Sequence, residues 1–184
     1  MAKRFFDIIV ASIALVVLFP LLIAVAFIIR FDGGKAFYGQ TRVGLGGKHF
    51  KMWKLRSMVP NADKLGGYST LSGDKRITKV GRFIRKTSID ELPQLINVLI
   101  GDMSLVGPRP NVPAQVDEYT AEQWSLRNSV PPGVTGLAQA ELRSKATWEQ
   151  RWELDKNYVL NHSFQLDMKI IFKTAIKLFS SNGN

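Results

Sequence analysis

Two carboxylates side by side, Asp90 and Glu91, open the stretch TSIDELPQLINVLIGDMSLVGPRP. Such a pair can divide a reaction: an ionised Asp beside a phosphate can act as nucleophile, and a neighbouring Glu can hold Mg²⁺. Just upstream, Arg82, Arg85 and Lys86 supply a positive field for a phosphate, and downstream Arg109 stands between Pro108 and Pro110. The prolines restrict the backbone and aim a guanidinium fork suited to a phosphate or a planar base. Each feature also has a plain structural reading: a helix cap for the carboxylates, a stiff turn with a solvated arginine for GPRP.

Leu92, Leu95, Ile96 and Leu99 recur at helical spacing and Gly101 ends the pattern, which places Asp90 and Glu91 at or just before a helix N-terminus. Ser88-x-x-Glu91 matches a capping box. With Ser88 as N-cap, however, Pro93 falls at the fifth helical position, where its ring and missing N–H are disruptive. A helix starting at Asp90 puts Pro93 in the tolerated first turn and leaves Asp90 either an ordinary N-cap or a functional group. Free N–H groups and partial positive charge at that end are expected to keep Asp90 ionised and to receive phosphate oxygens.

The chain has no cysteine, and its two histidines, His49 and His162, are too few for a His cluster, so any metal must be a hard ion held by oxygen. The net charge of +10 is uneven: between Lys35 and Lys86 stand thirteen Lys and Arg against Asp63 and Asp74 alone. A lobe of that sign attracts nucleic acid, an anionic lipid surface or a phosphorylated substrate.

The elements that must position these residues begin with a membrane segment. Ile8 to Ile29 is a 22-residue uncharged run interrupted only by Ser12 and Pro20, long enough as a helix to match a hydrocarbon core of roughly 30 Å. It exceeds the apolar stretch of a signal peptide. Pro20 predicts a kink, and basic residues at both ends (Lys3 and Arg4, then Arg30) give no orientation by the positive-inside rule, so a bent helix that enters and leaves by one face competes with a spanning one.

Beyond Gly34, KAFYGQTRVG and HFKMWKLRSM read as two strands joined by a Gly-rich turn, with Phe50 and Trp53 interleaved among Lys51, Lys54 and Arg56. Residues 61–74 read as a loop, Val80 to Lys86 as a short basic helix, Pro113 to Asn128 as a helix, PPGVTG as a loop, and Trp148 to Leu160 as a helix. The last helix, Phe164 to Phe179, carries Lys169, Lys173 and Lys177 four apart beside an apolar face, the pattern of an interfacial helix or of a core-packed one with a solvated lysine row. These features leave three classes open: a phosphoglycosyl transferase, a membrane-tethered polyanion binder without catalysis, and a membrane adaptor.

At TSIDELPQLINVLIGDMSLVGPRP the chain resembles the bacterial sugar transferase family, small monotopic phosphoglycosyl transferases that load a sugar phosphate onto undecaprenyl phosphate. The likeness extends through GQTRVG, KMWKLRSM, ITKVGRFIRKTS, PPGVTGLAQ, ELDKNYV and LDMKIIFKTA. It implies an α+β fold: a kinked, re-entrant membrane helix over residues 1–32, then a cytosolic catalytic domain over 33–184 with a small β-hairpin and several helices, some amphipathic and interfacial. It implies a double displacement in which Asp90 attacks the phosphate bearing the sugar, UMP leaves, and polyprenyl phosphate takes the phospho-sugar from the aspartyl intermediate. Glu91 matches the second carboxylate of the dyad and an Mg²⁺ ligand. Arg85 and Arg109 match positions that bind phosphate or uridine, and Lys54, Arg56 and Asp167 match further substrate-binding positions. The implied partners are a UDP-sugar, polyprenyl phosphate and membrane lipids at the cytoplasmic face of the bacterial inner membrane, with no nucleic acid and with room for a homo-oligomer. Two departures stand out: Phe19-Pro20 where members often carry Ser-Pro, and GLAQAELR where many read GWAQ followed by NGR.

Overall fold

The apolar N-terminal run forms one helix, α1 (Ala2–Phe31), that continues through Pro20 in a computed structural model describing residues 2–67, 70, 73–142 and 147–179. By length and composition α1 is able to cross a membrane. It buries a stripe at helical spacing, Asp7, Ala11, Leu22, Val25 and Ile29, while Phe5, Val16, Val17, Phe19 and Phe27 point outward. Both ends of the stripe are fastened to the same body. Near the start, Arg4 donates to the carbonyls of Val98 (2.5 Å) and Leu99 (2.9 Å); at the far end, Arg56 Nη2 donates to the carbonyl of Ile29 (2.9 Å).

The strands β1 (Phe37–Val43) and β2 (His49–Leu55) pair antiparallel around a 3-10 turn at Leu45–Gly47, where Gly46 and Gly47 take positive φ. The register sets Gly39 opposite Trp53, Met52 opposite Gln40, and Lys54 opposite Tyr38. Since paired residues share a face, Lys54 lies with Phe50 and Arg42, and Trp53 lies with Lys51. The simple interleaving of aromatic and basic residues expected for β2 is therefore split between two faces.

Next come α2 (Ala62–Leu65), α3 (Lys79–Lys86), a 3-10 turn at Ile89–Glu91 and α4 (Gln94–Ile100), which ends on Gly101 in the left-handed conformation. The segment expected as a loop over 61–74 thus holds one helical turn, and its Tyr68, Ser69, Leu71 and Ser72 lie outside the described residues. Asn97 locks α4 to the open edge of β2: its amide accepts from the Trp53 N–H (3.0 Å) and donates to the Lys51 carbonyl (2.7 Å), pairing backbone groups that a missing third strand would have paired.

The expected helix over 113–128 is instead a 3-10 turn (Pro113–Glu118) followed by α5 (Ala121–Arg127). The break falls where Thr120 caps α5, its hydroxyl accepting from the Gln123 N–H while the Gln123 side chain accepts from the Thr120 N–H. PPGVTG, expected as a loop, contributes β4 (Gly133–Thr135), which pairs in parallel with β3 (Ser104–Val106). The approach is so close that a Cβ on Gly133 would stand 2.1 Å from the Gly107 nitrogen, so only glycine fits. Three helices close the fold: α6 (Leu137–Leu142), α7 (Trp148–Asn161) and α8 (Phe164–Phe179).

Two apolar clusters form the core, and α1 contributes to both. Ala11 packs with Met52, Leu95, Val98, Met103, Leu105, Val106, Tyr158 and Ile170; Leu22, Val25 and Ile29 pack with Ala36, Leu55 and Ile84. Ile89 and Leu92, which flank the carboxylate pair, lean on the second cluster, and Leu95 and Val98 belong to the first. The pair is thereby held between them.

Candidate active site

Asp90 and Glu91 sit in the 3-10 turn Ile89–Glu91, and α4 begins only at Gln94. The expected helix start at Asp90 moves because Pro93 has no N–H to give: the chain climbs by i→i−3 bonds, Leu92 N to Ile89 O (3.2 Å), Leu95 N to Leu92 O (3.0 Å) and Ile96 N to Pro93 O (3.0 Å). Asp90 is therefore not the N-cap. Ser88 does not form the capping box either; it takes a left-handed conformation at φ 57 and its side chain caps nothing.

Glu91 is claimed by two cations from distant segments. Its Oε1 accepts from Lys54 Nζ at 2.9 Å and from Arg109 Nη2 at 2.5 Å, and its Oε2 from Arg109 Nη1 at 3.3 Å. Burial alone would raise the Glu91 pKa, but Arg109 and Lys54 hold it far below the usual carboxylate range. Burial, and the charge of Arg109, lower the Lys54 pKa against the pull of Glu91. Asp90 is a different case. It is 7% exposed and its side chain makes no hydrogen bond among the described residues. Burial first, then the charge of Glu91, push its pKa up to about 6 against Lys54, Arg85 and Arg109. A helix terminus is expected to keep Asp90 ionised; burial of the turn and the charge of Glu91 work against this, so Asp90 is ionised at neutral pH but takes up a proton at a higher pH than an ordinary carboxyl. Adjacent carboxyls are thus driven apart: one permanently ionised and paired, the other poised near neutrality.

Sequence reasoning missed the side chains that hold Arg109. The guanidinium of Arg127, on α5, donates from Nη2 to the Arg109 carbonyl (2.7 Å), and both Arg127 and its ion-pair partner Asp155 on α7 are buried, with side chains 2% exposed. Arg127 also lies over the ring of Tyr119, 5.8 Å from its centroid, and Tyr119 packs among Trp124, Trp148 and Trp152. On the other side, Arg42 Nη1 donates to the Pro110 carbonyl (2.8 Å), and the Asn111 carbonyl accepts from the Val43 N–H (2.9 Å). Arg42 and Asp155 lie within GQTRVG and ELDKNYV, but nothing in those strings marks these two residues as converging on Arg109.

Of the residues singled out from the sequence, Lys54, Arg109, Asp90 and Glu91 come together. Arg85, half-buried at the end of α3, contributes its charge to Asp90 without a side-chain hydrogen bond among the described residues. Arg56 is spent on backbone: besides Ile29 it donates to the carbonyls of Lys35 (2.8 Å) and Met58 (3.4 Å). Asp167 is 2% exposed and ties α8 to the first turn of α1, 2.6 Å from Lys3 Nζ and 2.7 Å from the Tyr158 hydroxyl. Arg56 and Asp167 therefore fasten α1 to the domain. The basic lobe between residues 35 and 86 also turns partly inward, with Lys54 on Glu91, Arg56 on carbonyls, and Arg76 on Asp74 and the carbonyls of Ala62 and Gly67.

Among the described residues no group of three or more His, Asp or Glu side chains could cage a metal ion. Two adjacent carboxylates nonetheless match what Mg²⁺ takes from a protein when substrate phosphates complete its shell. The donor set of Asp90 and Glu91 fits that mode, with both Glu91 oxygens here turned to Lys54 and Arg109.

The sequence model of the family described as Bacterial sugar transferase matches residues 1–181. The chain is 44% identical over 182 residues to the uncharacterized sugar transferase EpsL of Bacillus subtilis (strain 168), covering 98% of this chain and 89% of that protein. It is 42% identical over 186 residues to the UDP-glucose:undecaprenyl-phosphate glucose-1-phosphate transferase of Escherichia coli (strain K12), covering 96% of this chain and 40% of that protein. Against the undecaprenyl-phosphate galactose phosphotransferase of Salmonella typhimurium it is 41% identical over 196 residues, covering 98% and 41%. The chain thus spans about two fifths of the length of these last two proteins.

Proposed function

The chain belongs to the bacterial sugar transferase family, and on that premise we propose that it moves a sugar 1-phosphate from a UDP-sugar to undecaprenyl phosphate with release of UMP. The observation that carries this reading is Asp90, a buried carboxyl without a hydrogen bond among the described residues, beside a Glu91 already held by two cations. A carboxylate engaged in that way is a weak nucleophile; Asp90, ionised above about pH 6, is the stronger one.

In the first step an Asp90 oxygen attacks the phosphorus that bears the sugar. An aspartyl–phosphorus bond forms, and the bond from that phosphorus to the bridging oxygen breaks, the oxygen leaving with UMP. In the second step a phosphate oxygen of the polyprenyl acceptor attacks the same phosphorus and Asp90 departs as carboxylate. Lys54 and Arg109 keep N–H donors beyond those given to Glu91, and these neutralise charge on the diphosphate. Glu91 would hold Mg²⁺, which when bound supplies further charge neutralisation to the phosphates. Two relatives named for undecaprenyl-phosphate transfer of different hexose phosphates support the acceptor and leave the sugar to a screen.

The expected result of that screen is Mg²⁺-dependent UMP release from at least one UDP-sugar when undecaprenyl phosphate is present. Silence across a broad panel with lipid and metal supplied would overturn the reading.

Both ends of α1 are bonded to the same domain, which supports a helix whose two ends lie at one face, the cytoplasmic face of the bacterial inner membrane. Its exposed apolar face and the outward Phe172 and Ile176 of α8 then meet lipid. Tags at residues 1 and 184 should both be reachable only from the cytoplasm; periplasmic labelling of the first would establish a spanning helix instead.

A further inference from the structure

Arg42 enters the cluster around the carboxylates from the face of the hairpin that also carries Lys54. Of the five N–H donors of its guanidinium, Nε and Nη2 each give one to Gln40 Oε1 (3.2 and 2.6 Å), and Nη1 gives one to the Pro110 carbonyl (2.8 Å). Both acceptors are neutral. One N–H on Nη1 and one on Nη2 remain, and among the described residues no carboxylate forms an ion pair with Arg42. The group is half-buried and close enough to Arg109 to be repelled by it.

Desolvating a guanidinium beside another one is unfavourable unless an anion is present. Glu91, the carboxylate whose charge offsets that of Arg42, is divided between Lys54 and Arg109, so Arg42 has no ion-pair partner of its own among the described residues. Its rigid placement by Gln40 and Pro110 leaves the remaining donors in a fixed position, an arrangement suited to planar, two-point recognition of phosphate oxygens.

We propose that Arg42 is a substrate-binding residue whose two remaining N–H groups engage the diphosphate of the nucleoside diphosphate sugar. This rests on the transferase reading above. It assigns the neutralisation of the donor's diphosphate to three cations, of which Arg42 alone is not already paired with Glu91.

The test is titration of the full chain in nanodiscs with UDP, comparing wild type with Arg42→Gln and recording thermal unfolding of both without ligand. Loss of a charge-assisted pair of hydrogen bonds should weaken UDP binding about tenfold or more while the ligand-free protein unfolds within a few degrees of wild type. Unchanged UDP affinity, or a large fall in unfolding temperature with affinity retained, would overturn the proposal and leave Arg42 as a brace for Pro110. Should Arg42→Gln not fold, phenylglyoxal modification of wild type decides the matter: UDP should protect Arg42 in the peptide mass map, and equal modification with and without UDP would overturn it. Wild type that neither binds UDP nor releases UMP would instead strike the transferase reading itself.

Discussion

Replacing Asp90 with Asn is expected to abolish the covalent phospho-sugar adduct, to lower transfer by at least about a thousandfold, and at the same time to make the protein more stable at neutral pH. The two effects share one cause. Burial and the charge of Glu91 raise the carboxyl from its ordinary 3.8 to about 6, so the folded state favours the protonated form. Stability is then greatest below pH 4 with respect to this group, declines as pH rises through about 6, and levels off above it. A displacement of about two pH units corresponds to about 3 kcal/mol. Asn carries no charge, so the variant should gain on the order of 1–3 kcal/mol at pH 7.5 and lose the decline between pH 4 and 6. Urea unfolding across that range measures this directly. The rate of adduct formation in wild type should rise about tenfold per pH unit below 6 and flatten above. A profile flat from pH 5 to 7, or an intact-mass adduct of unchanged yield in Asp90→Asn, would remove Asp90 from the nucleophile's place.

The largest stability loss is expected from Asp155→Ala. Asp155 and Arg127 are each 2% exposed at the side chain and lie 2.8 Å apart. Removing the carboxylate strands a guanidinium in the interior, which costs about 3–5 kcal/mol. The same guanidinium holds the Arg109 carbonyl, so Arg109 loses a fixed point behind its grip on Glu91. Transfer should therefore drop at least about tenfold even at temperatures where the variant remains folded. The double replacement Arg127→Met with Asp155→Leu separates the two roles: an apolar pair of similar volume restores much of the stability, while activity stays low because nothing holds the Arg109 carbonyl. Recovery of both together would show that Arg127 has no positioning role, and an Asp155→Ala protein within about 1 kcal/mol of wild type would show the buried pair to be dispensable.

The helices that became visible without coordinates share a cause. α1, α7 and α8 are long and periodic or uniformly apolar, and α8 has the boundaries that its spacing predicts, Phe164–Phe179. Pro93 correctly spoke against the capping box, since a residue without an N–H cannot sit at the fifth position of a regular helix. The same proline also shifted the start of α4 three residues past the carboxylates, which its tolerance in a first turn did not foretell. β3 and β4 escaped notice because three-residue strands have no measurable period, and their parallel pairing joins segments far apart in the chain. The contacts of Arg56 were hidden for a related reason: a basic residue beside a strand looks the same whether it faces a phosphate or, as here, the carbonyl end of an apolar helix.

Asp90 and Glu91 are distinguishable only in three dimensions. The sequence by itself determined that two carboxylates stand together ahead of a short helix, that arginines flank them, and that an apolar helix precedes the domain, because these are matters of residue type and local spacing. The tertiary structure alone decided which carboxyl is paired and which is poised, for that depends on Lys54 and Arg109 arriving from segments 37 and 18 residues away to neutralise Glu91. Asp90 is left buried beside a fixed negative charge, and that surrounding sets its pKa.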